Sequence, residues 1–244
     1  TERLKYLIPD YKNKKYLLAV SGGPDSVAML RLSEKYSLNA VVAHCNFKLR
    51  GKDADEDELF TQNLAEKYNY EFIKTDFETE EYARNHGISI QMAARDLRYQ
   101  WFEEIRKSKA CDYIMIAHNR GDVVETVMIN QIRGCGVRGF SGISELNGNI
   151  LRPMLFISRE EIENYLKEIN QDFRTDKSNA ETKYMRNAVR HKVLPAMKNI
   201  NDQIETTLHE NSIRAEKSLK VFEKLLEKER NRIFKVENDG IKIL

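Results

Sequence analysis

The chain has 244 residues, 41% hydrophobic and 32% charged, a length that fits one large domain or a domain plus an appendage. Its apolar fraction is enough to build a core, which excludes wholesale disorder. The 40 basic and 38 acidic residues leave a net charge of +2, which excludes a strongly basic nucleic-acid coat but not local patches.

In chain order, Tyr16–Val20 reads as a buried strand, followed by a turn at Ser21-Gly22-Gly23-Pro24. A helix then opens at Asp25, with Val27, Ala28, Met29, Leu30 and Tyr36 as its apolar face. Ala40–His44 is the next strand. Leu59, Phe60, Leu64, Ala65 and Tyr68 form a helical stripe, and Tyr70–Thr75 is a third strand. Ala94, Leu97, Trp101 and Ile105 recur at helical spacing, and this Trp and the Tyr stripes read as core. Tyr113–Ala117 is a fourth strand, with Val124, Val127, Met128 and Ile132 following at helical period. Four β–α alternations predict an α/β fold, a doubly wound parallel sheet with helices on both faces. Ligands of such sheets lie outside the carboxyl ends of the strands. The segments after Val20, His44 and Ala117 are therefore the places to look for a site.

Beyond Ile150 the pattern turns helical, with Ser158 as an N-cap and Glu160 and Glu161 in the first turn. Residues 201–234 read as a charge-laced helical region. Val236–Leu244 reads as a hairpin arm around Asn238-Asp239-Gly240, expected to be the start of a further C-terminal region. The expected division is a catalytic domain over residues 1–200 and a helical linker with that arm over 201–244. The longest apolar stretch, Tyr16–Val20, is far short of the roughly 20 residues that cross a bilayer. With no leader pattern, and with Cys45, Cys111 and Cys135 lacking CxxC spacing, the expected compartment is the cytoplasm with reduced thiols. The chain opens at Thr1, which suggests processing or trimming.

Ser21-Gly22-Gly23-Pro24-Asp25-Ser26 joins a strand to a helix. Its glycines admit close backbone approach, and exposed amides at the helix start favour an anion. The segment matches neither GxxxxGK[ST] nor GxGxxG, which argues against kinase-type and dinucleotide loops. An Asp among phosphate-binding groups is unfavourable without a cation, so Asp25 suggests Mg²⁺ bridging a triphosphate. This SGGxDS loop resembles the pyrophosphate-binding loop of the N-type ATP pyrophosphatases. Those enzymes cleave ATP between the α- and β-phosphates and adenylate an oxygen of the substrate.

Further motifs narrow the resemblance. They are His44–Arg50, Ala94-Arg95-Asp96-Leu97-Arg98-Tyr99, Ala117–Thr126, Arg133-Gly134-Cys135-Gly136, Arg152-Pro153-Met154-Leu155, Asp176-Lys177-Ser178-Asn179 and Arg186-Asn187-Ala188-Val189-Arg190. In this order, over about residues 16–200, the set resembles the tRNA(Ile)-lysidine synthetase family, and the late DxSN…RNxxR block is its most specific part. Phe47, Gly121 and Cys135 depart from the family's usual residues. The resemblance implies ATP-dependent adenylation of the 2-oxo oxygen of the wobble cytidine in a CAU anticodon. The amine of free L-lysine then displaces AMP to give lysidine. The implied partners are ATP, Mg²⁺, tRNA(Ile) with a CAU anticodon and lysine, with a homodimer as a candidate assembly and no membrane.

Asp122 and Glu125 stand three apart at a helix start, where acids also complement the helix dipole. The resemblance favours a second role for them, holding the lysine ammonium or presenting its neutral amine. His118 has no second His at ligand spacing and reads as a residue lining the cleft. His44, at a strand end, reads equally as a local hydrogen-bonding group. Arg95, Arg98 and Arg133 are candidate contacts to tRNA or phosphate, suited to the charge that adenylation develops. Lys183, Arg186, Arg190, Lys192 and Lys198 fall in a stretch without acids between Glu181 and Asp202, which reads as a tRNA phosphate contact, with Arg190 also a catalytic candidate. The run Asp53–Glu58, five acids in six residues, reads as a helix N-terminus and exposed face away from RNA. Two alternatives are a tRNA thiolation enzyme of the same superfamily and a non-catalytic ATP-binding module. Scattered cysteines argue against the first, and the Asp25, Asp122 and Glu125 set argues against the second.

Overall fold

In the computed structural model of the chain, residues 2–175, 185–237 and 240–243 are described, without the side chains of 231 and 234–243. They form two compact units, Thr1–Arg120 with Ser144–Asn179 and Gly121–Ile143 with Ala180–Leu244.

The first unit is built on a six-stranded sheet of order β3-β2-β1-β4-β6-β5. Strands β1 (Lys15–Ala19), β2 (Asn39–Asn46), β3 (Glu71–Asp76), β4 (Tyr113–Ile116) and β6 (Ile150–Leu151) run parallel, and β5 (Leu146–Asn147) is antiparallel to β6. Between them lie α2 (Pro24–Lys35), α3 (Lys52–Lys67), α4 (Thr79–His86) and α5 (Ile90–Ser108), after an N-terminal α1 (Glu2–Leu7). Successive strand residues point to opposite faces. Leu18 of β1, beside Val42 and Met115, enters a large core with Val27 and Leu30 of α2, Leu64 of α3, and Ile162 and Leu166 of α7 (Arg159–Glu168). Its neighbour Leu17, beside Val41 and Ile114, enters the opposite core with Phe102 of α5. Burial on both faces explains why the strands read as continuous apolar runs. The expected doubly wound fold is the one observed. Trp101 packs as expected, edge-on to Phe77 and against the second core.

Strand order reverses between β1 and β4, so the cleft of an open α/β sheet falls at the carboxyl ends of these two strands. Helix α2 begins at Pro24 with Gly23 as the N-cap, one residue earlier than expected.

In the second unit, α6 (Arg120–Arg133) packs Val124 and Met128 against Val189 and Leu194. Those partners lie on a continuous helical run made of α8 (Met185–Ala188), a π-helical stretch Val189–Val193 and α9 (Leu194–Lys198). Gly142 has φ of +67°, and a Cβ there would stand 2.9 Å from Val123 Cγ1, so the turn after α6 needs glycine. The helical region expected from residue 201 is α10 (Ile204–Ile233). The hairpin arm pairs β7 (Phe234–Glu237) with β8 (Gly240–Ile243), while Asn238 and Asp239 lie outside the described residues. No helix among the described residues is long and apolar enough to cross a membrane.

Ser158 caps α7 as the sequence suggests. Its side chain accepts from the Glu161 N–H, and the Glu161 carboxylate accepts from the Ser158 N–H. Ser158→Ala should therefore destabilise the fold by about 1 kcal/mol in urea unfolding, and Glu161→Gln by less.

Candidate active site

The loop after β1 is held by its own hydroxyls. Ser26 Oγ donates to the Gly23 carbonyl (2.9 Å) and accepts from the Ser21 N–H (3.1 Å), with Ser21 Oγ 3.3 Å away. Ser26 is buried and works inside the loop, whereas Ser21 is exposed. Gly22 is buried with φ of +88°, and the Val27 N–H closes the first helical turn on the Gly23 carbonyl. The first amides of α2 have no intrahelical partners, which leaves a positive, anion-seeking end. Asp25 stands in that first turn, and Asn119, from the segment after β4, donates Nδ2–H to Asp25 Oδ1 (3.1 Å). The two strands at the order reversal thus each contribute one partner of a polar contact. In the sequence Asn119 is one residue of the Ala117–Thr126 motif, and its place at a strand's carboxyl end is the signal that marks it.

The two histidines are both structural in their ring contacts. Buried His44 donates Nδ1–H to the Val20 carbonyl (2.9 Å), and burial pushes its imidazole below the usual histidine range. Arg152 donates Nε–H to His118 Nδ1 (3.1 Å), so that nitrogen is the acceptor of the contact.

A second constellation lies in the other unit. Glu125, with only 3% of its side chain exposed, receives Arg186 Nε on Oε2 (2.6 Å) and Arg190 Nε on Oε1 (2.5 Å). Arg186 also donates to Asp122 Oδ1 (3.2 Å), and Arg190 stands 4.0 Å from the same oxygen. Two carboxylates and two guanidiniums form a charge-balanced quartet, as a buried carboxylate requires. The i,i+4 spacing of Arg186 and Arg190 puts both on one helical face, as expected, but that face holds acids in this structure. The π-helical stretch beginning at Val189 widens the turn that carries Arg190.

The remaining candidates are spread out. Arg98 is half-buried against the Phe47 ring, 5.0 Å from its centroid, and burial pushes its guanidinium below the usual arginine range. Arg95 is exposed and stacks on Tyr99 (5.1 Å), Arg133 is exposed at the end of α6, and Lys192 is exposed on the π-helical stretch. Lys183 and Asp176–Asn179 lie outside the described residues. The acidic run is only partly an exposed face. Asp57, with 10% of its side chain exposed, is paired with Arg50 and Arg174, and Glu58 binds Lys74. Their position on α3 turns them toward the sheet and toward residues 171–175, the strap that follows α7, which composition could not reveal.

The PP-loop domain model matches residues 1–197. This chain belongs to the PP-loop domain family. The family implies ATP use. The PP-loop chain is 43% identical over 242 residues to tRNA(Ile)-lysidine synthase of Bacteroides thetaiotaomicron, covering 99% of itself and 56% of that protein. It is 40% identical over 199 residues to tRNA(Ile)-lysidine synthase of Clostridium tetani, covering 79% of itself and 43% of that protein. The chain spans about half the length of the curated relatives it matches. Among solved structures it is similar to the U34-tRNA thiolase NcsA of Methanococcus maripaludis, with a TM-score of 0.71 and 17% identity over 87% of this chain and 77% of that one. At that identity the likeness extends to the fold alone.

Two cysteines of this PP-loop protein, Cys45 and Cys111, sit in environments that suppress the thiolate. Burial pushes the Cys45 thiol up to about 12 against a weaker opposing effect of Arg98, and burial also raises Cys111. In the folded protein at pH 8, alkylation of Cys45 should run about a hundredfold or more slower than after unfolding, read by peptide mapping. Equal rates would mean that the thiol is not held in its protonated form.

Proposed function

We propose that this chain carries the catalytic part of an ATP-dependent ligase that adenylates the wobble cytidine of a CAU-anticodon tRNA(Ile) and joins it to free lysine, working in the cytoplasm. The observation that carries this reading is the quartet of Asp122, Glu125, Arg186 and Arg190, which unites two of the motifs behind the lysidine synthetase resemblance across 61 residues of chain. The relatives named tRNA(Ile)-lysidine synthase support it, as does the family match over 1–197. The proposed division is a catalytic domain over residues 1–200 and a helical linker with the hairpin arm over 201–244.

The work divides between two residue sets. Amides at the start of α2, with Ser21, Gly22, Gly23, Pro24 and Ser26 shaping the loop, bind the leaving pyrophosphate. The cytidine 2-oxo oxygen attacks the α-phosphorus, the bond to the bridging oxygen breaks, and pyrophosphate carries that electron pair away. The lysine amine then attacks C2, and AMP departs with the oxygen. The quartet suits a zwitterion such as lysine, with carboxylates to accept from an ammonium and guanidiniums to meet a carboxylate. The proton lost from the attacking amine passes to water, since carboxylates held by two guanidiniums are weak bases.

Asp25 fits Mg²⁺, because a hard cation takes carboxylate oxygen and Asn119 fixes that carboxylate's orientation. Among the described residues no three His, Cys, Asp or Glu side chains gather around one point, so Asp25 would hold the ion together with phosphates and water. Bound there, Mg²⁺ supplies neutralisation of triphosphate charge. Arg95, Arg98, Arg133, Lys183 and Lys192 are the proposed contacts to phosphate or tRNA. Exposed Val221, Phe222, Leu225 and Leu226 on α10 support a homodimer.

The decisive experiment incubates a CAU-anticodon tRNA with ATP, Mg²⁺ and lysine and analyses its nucleosides; lysidine is expected, and its absence in the presence of pyrophosphate release would sink the lysine assignment. In the same assay Asp25→Asn should nearly abolish pyrophosphate release with the fold intact. Glu125→Gln should impair lysidine formation more than adenylation, so that adenylated tRNA accumulates; equal loss of both steps would assign the pair to the nucleotide instead.

Lys183→Ala combined with Lys192→Ala should lower the slope of log K for tRNA against log salt by about two, with ATP affinity unchanged. Parallel salt lines for the variant and the parent protein would mean that neither lysine touches a phosphate.

A further inference from the structure

Among the described residues, the strap after α7 meets the loop at Gly22. The Arg174 N–H donates to the Gly22 carbonyl (2.9 Å). A trans peptide is planar, with its C=O and N–H on opposite sides, so a fixed Gly22 carbonyl also aims the Gly23 N–H. That N–H turns toward Ser21 Oγ (3.5 Å), away from the strap. The orientation of an amide in the anion-binding loop is thereby set by a residue about 150 positions later in the chain.

The Arg174 side chain keeps the strap in place. Its Nε donates to Asp57 Oδ1 (2.8 Å) and its NH2 to Glu56 Oε2 (2.7 Å), both on α3. Arg50 takes the other Asp57 oxygen (2.7 Å). One turn further along α3, buried Thr61 donates to the Asp57 carbonyl (2.8 Å). These groups also enclose Gly22. A Cβ there would meet Thr61 Oγ1 at 3.3 Å, Arg174 Cγ at 3.5 Å and the Asp57 carbonyl oxygen at 3.6 Å, in a backbone conformation of φ +88°. The loop therefore has a built wall behind it, made of α3 on one side and the strap on the other. The hydrogen bonds to Asp57 and Glu56 hold the Arg174 guanidinium above its ordinary range, so it stays charged at any working pH.

We infer that Arg174 is a positioning residue for the pyrophosphate loop, acting through its ionic anchor on Asp57 and Glu56 to hold the Gly22 carbonyl and so direct the Gly23 amide toward a bound diphosphate. This rests on the reading that the loop takes the pyrophosphate end of ATP. The acidic run on α3 then has a task in nucleotide binding without touching the nucleotide, since it fixes the residue that orients the loop.

The test measures binding of inorganic pyrophosphate with Mg²⁺ by calorimetry, and KM and kcat for ATP in pyrophosphate release, for the parent chain, Arg174→Ala, Arg174→Lys and Asp57→Asn. Arg174→Ala should weaken pyrophosphate binding and raise KM for ATP by about tenfold, while KM for lysine stays within twofold. Arg174→Lys, which can restore one ionic contact, should recover part of the loss. Asp57→Asn should act in the same direction, and adding it to Arg174→Ala should cost less than the sum of the two. A uniform loss of activity with unchanged pyrophosphate affinity, or no rescue by lysine, would overturn the positioning role. If Arg174→Ala does not fold, Arg174→Lys and Asp57→Asn decide the matter by the same split. If the parent chain itself does not bind pyrophosphate, the reading of the loop fails and the role of Arg174 falls with it; binding that is equal in all four proteins removes Arg174 alone.

Discussion

Parallel pairing of β1 with both β2 and β4 is the constraint on which the first unit depends. Parallel strands cannot be joined by a tight turn, so each return crosses the sheet through a helix, and the carboxyl ends of all the parallel strands share one edge. Because β2 lies on one side of β1 and β4 on the other, their crossovers cover opposite faces, and the edge opens between them. The loop of Ser21–Ser26 and the segment bearing Asn119 reach that opening as a consequence of topology. The Asn119–Asp25 contact is the local expression of it.

Within this frame the same electrostatic solution occurs twice. Asp57 in the first unit is shared by Arg50 and Arg174, and Glu125 in the second is shared by Arg186 and Arg190. A carboxylate withdrawn from water costs several kcal/mol unless donors replace its hydration, and two guanidiniums meet that need with directional bonds. At Asp57 the arrangement carries backbone geometry from a strap to a phosphate loop. At Glu125, together with Asp122, it holds four charges in balance. Arg suits both, since its planar fork makes directional bonds that the point charge of lysine replaces only in part.

The comparisons separate fold from chemistry. A thiolase of 17% identity superposes on most of the chain, which says that the sheet tolerates wide changes in its side chains. The relatives at about 40% identity share the lysidine synthase name. Here, Cys45 and Cys111 are held as thiols by burial, an environment opposite to the one that makes a sulfur nucleophilic. The acidic and basic side chains of α6 and α8 to α9 therefore carry the reading of function, more than the shape of the sheet does.

The periodic apolar runs determined the strands and helices by themselves, because burial on both faces of a parallel sheet leaves a continuous hydrophobic signature, as at Tyr16–Val20 and Tyr113–Ala117. The N-cap at Ser158 and the glycine turn at Ser21–Pro24 were legible for another reason, since their chemistry is local. Partnerships across long stretches of chain were not. Nothing in the run Asp53–Glu58 distinguishes Asp57 from its neighbours, yet the pitch of α3 buries that one side chain between two arginines. Nothing around Arg174 marks it as the residue that holds Gly22, and the RNxxR arginines read as phosphate contacts until the fold brings Glu125 to them. Composition and spacing report what one element can bury or expose, whereas the choice of a charged group's partner is made by the elements that tertiary packing sets beside it.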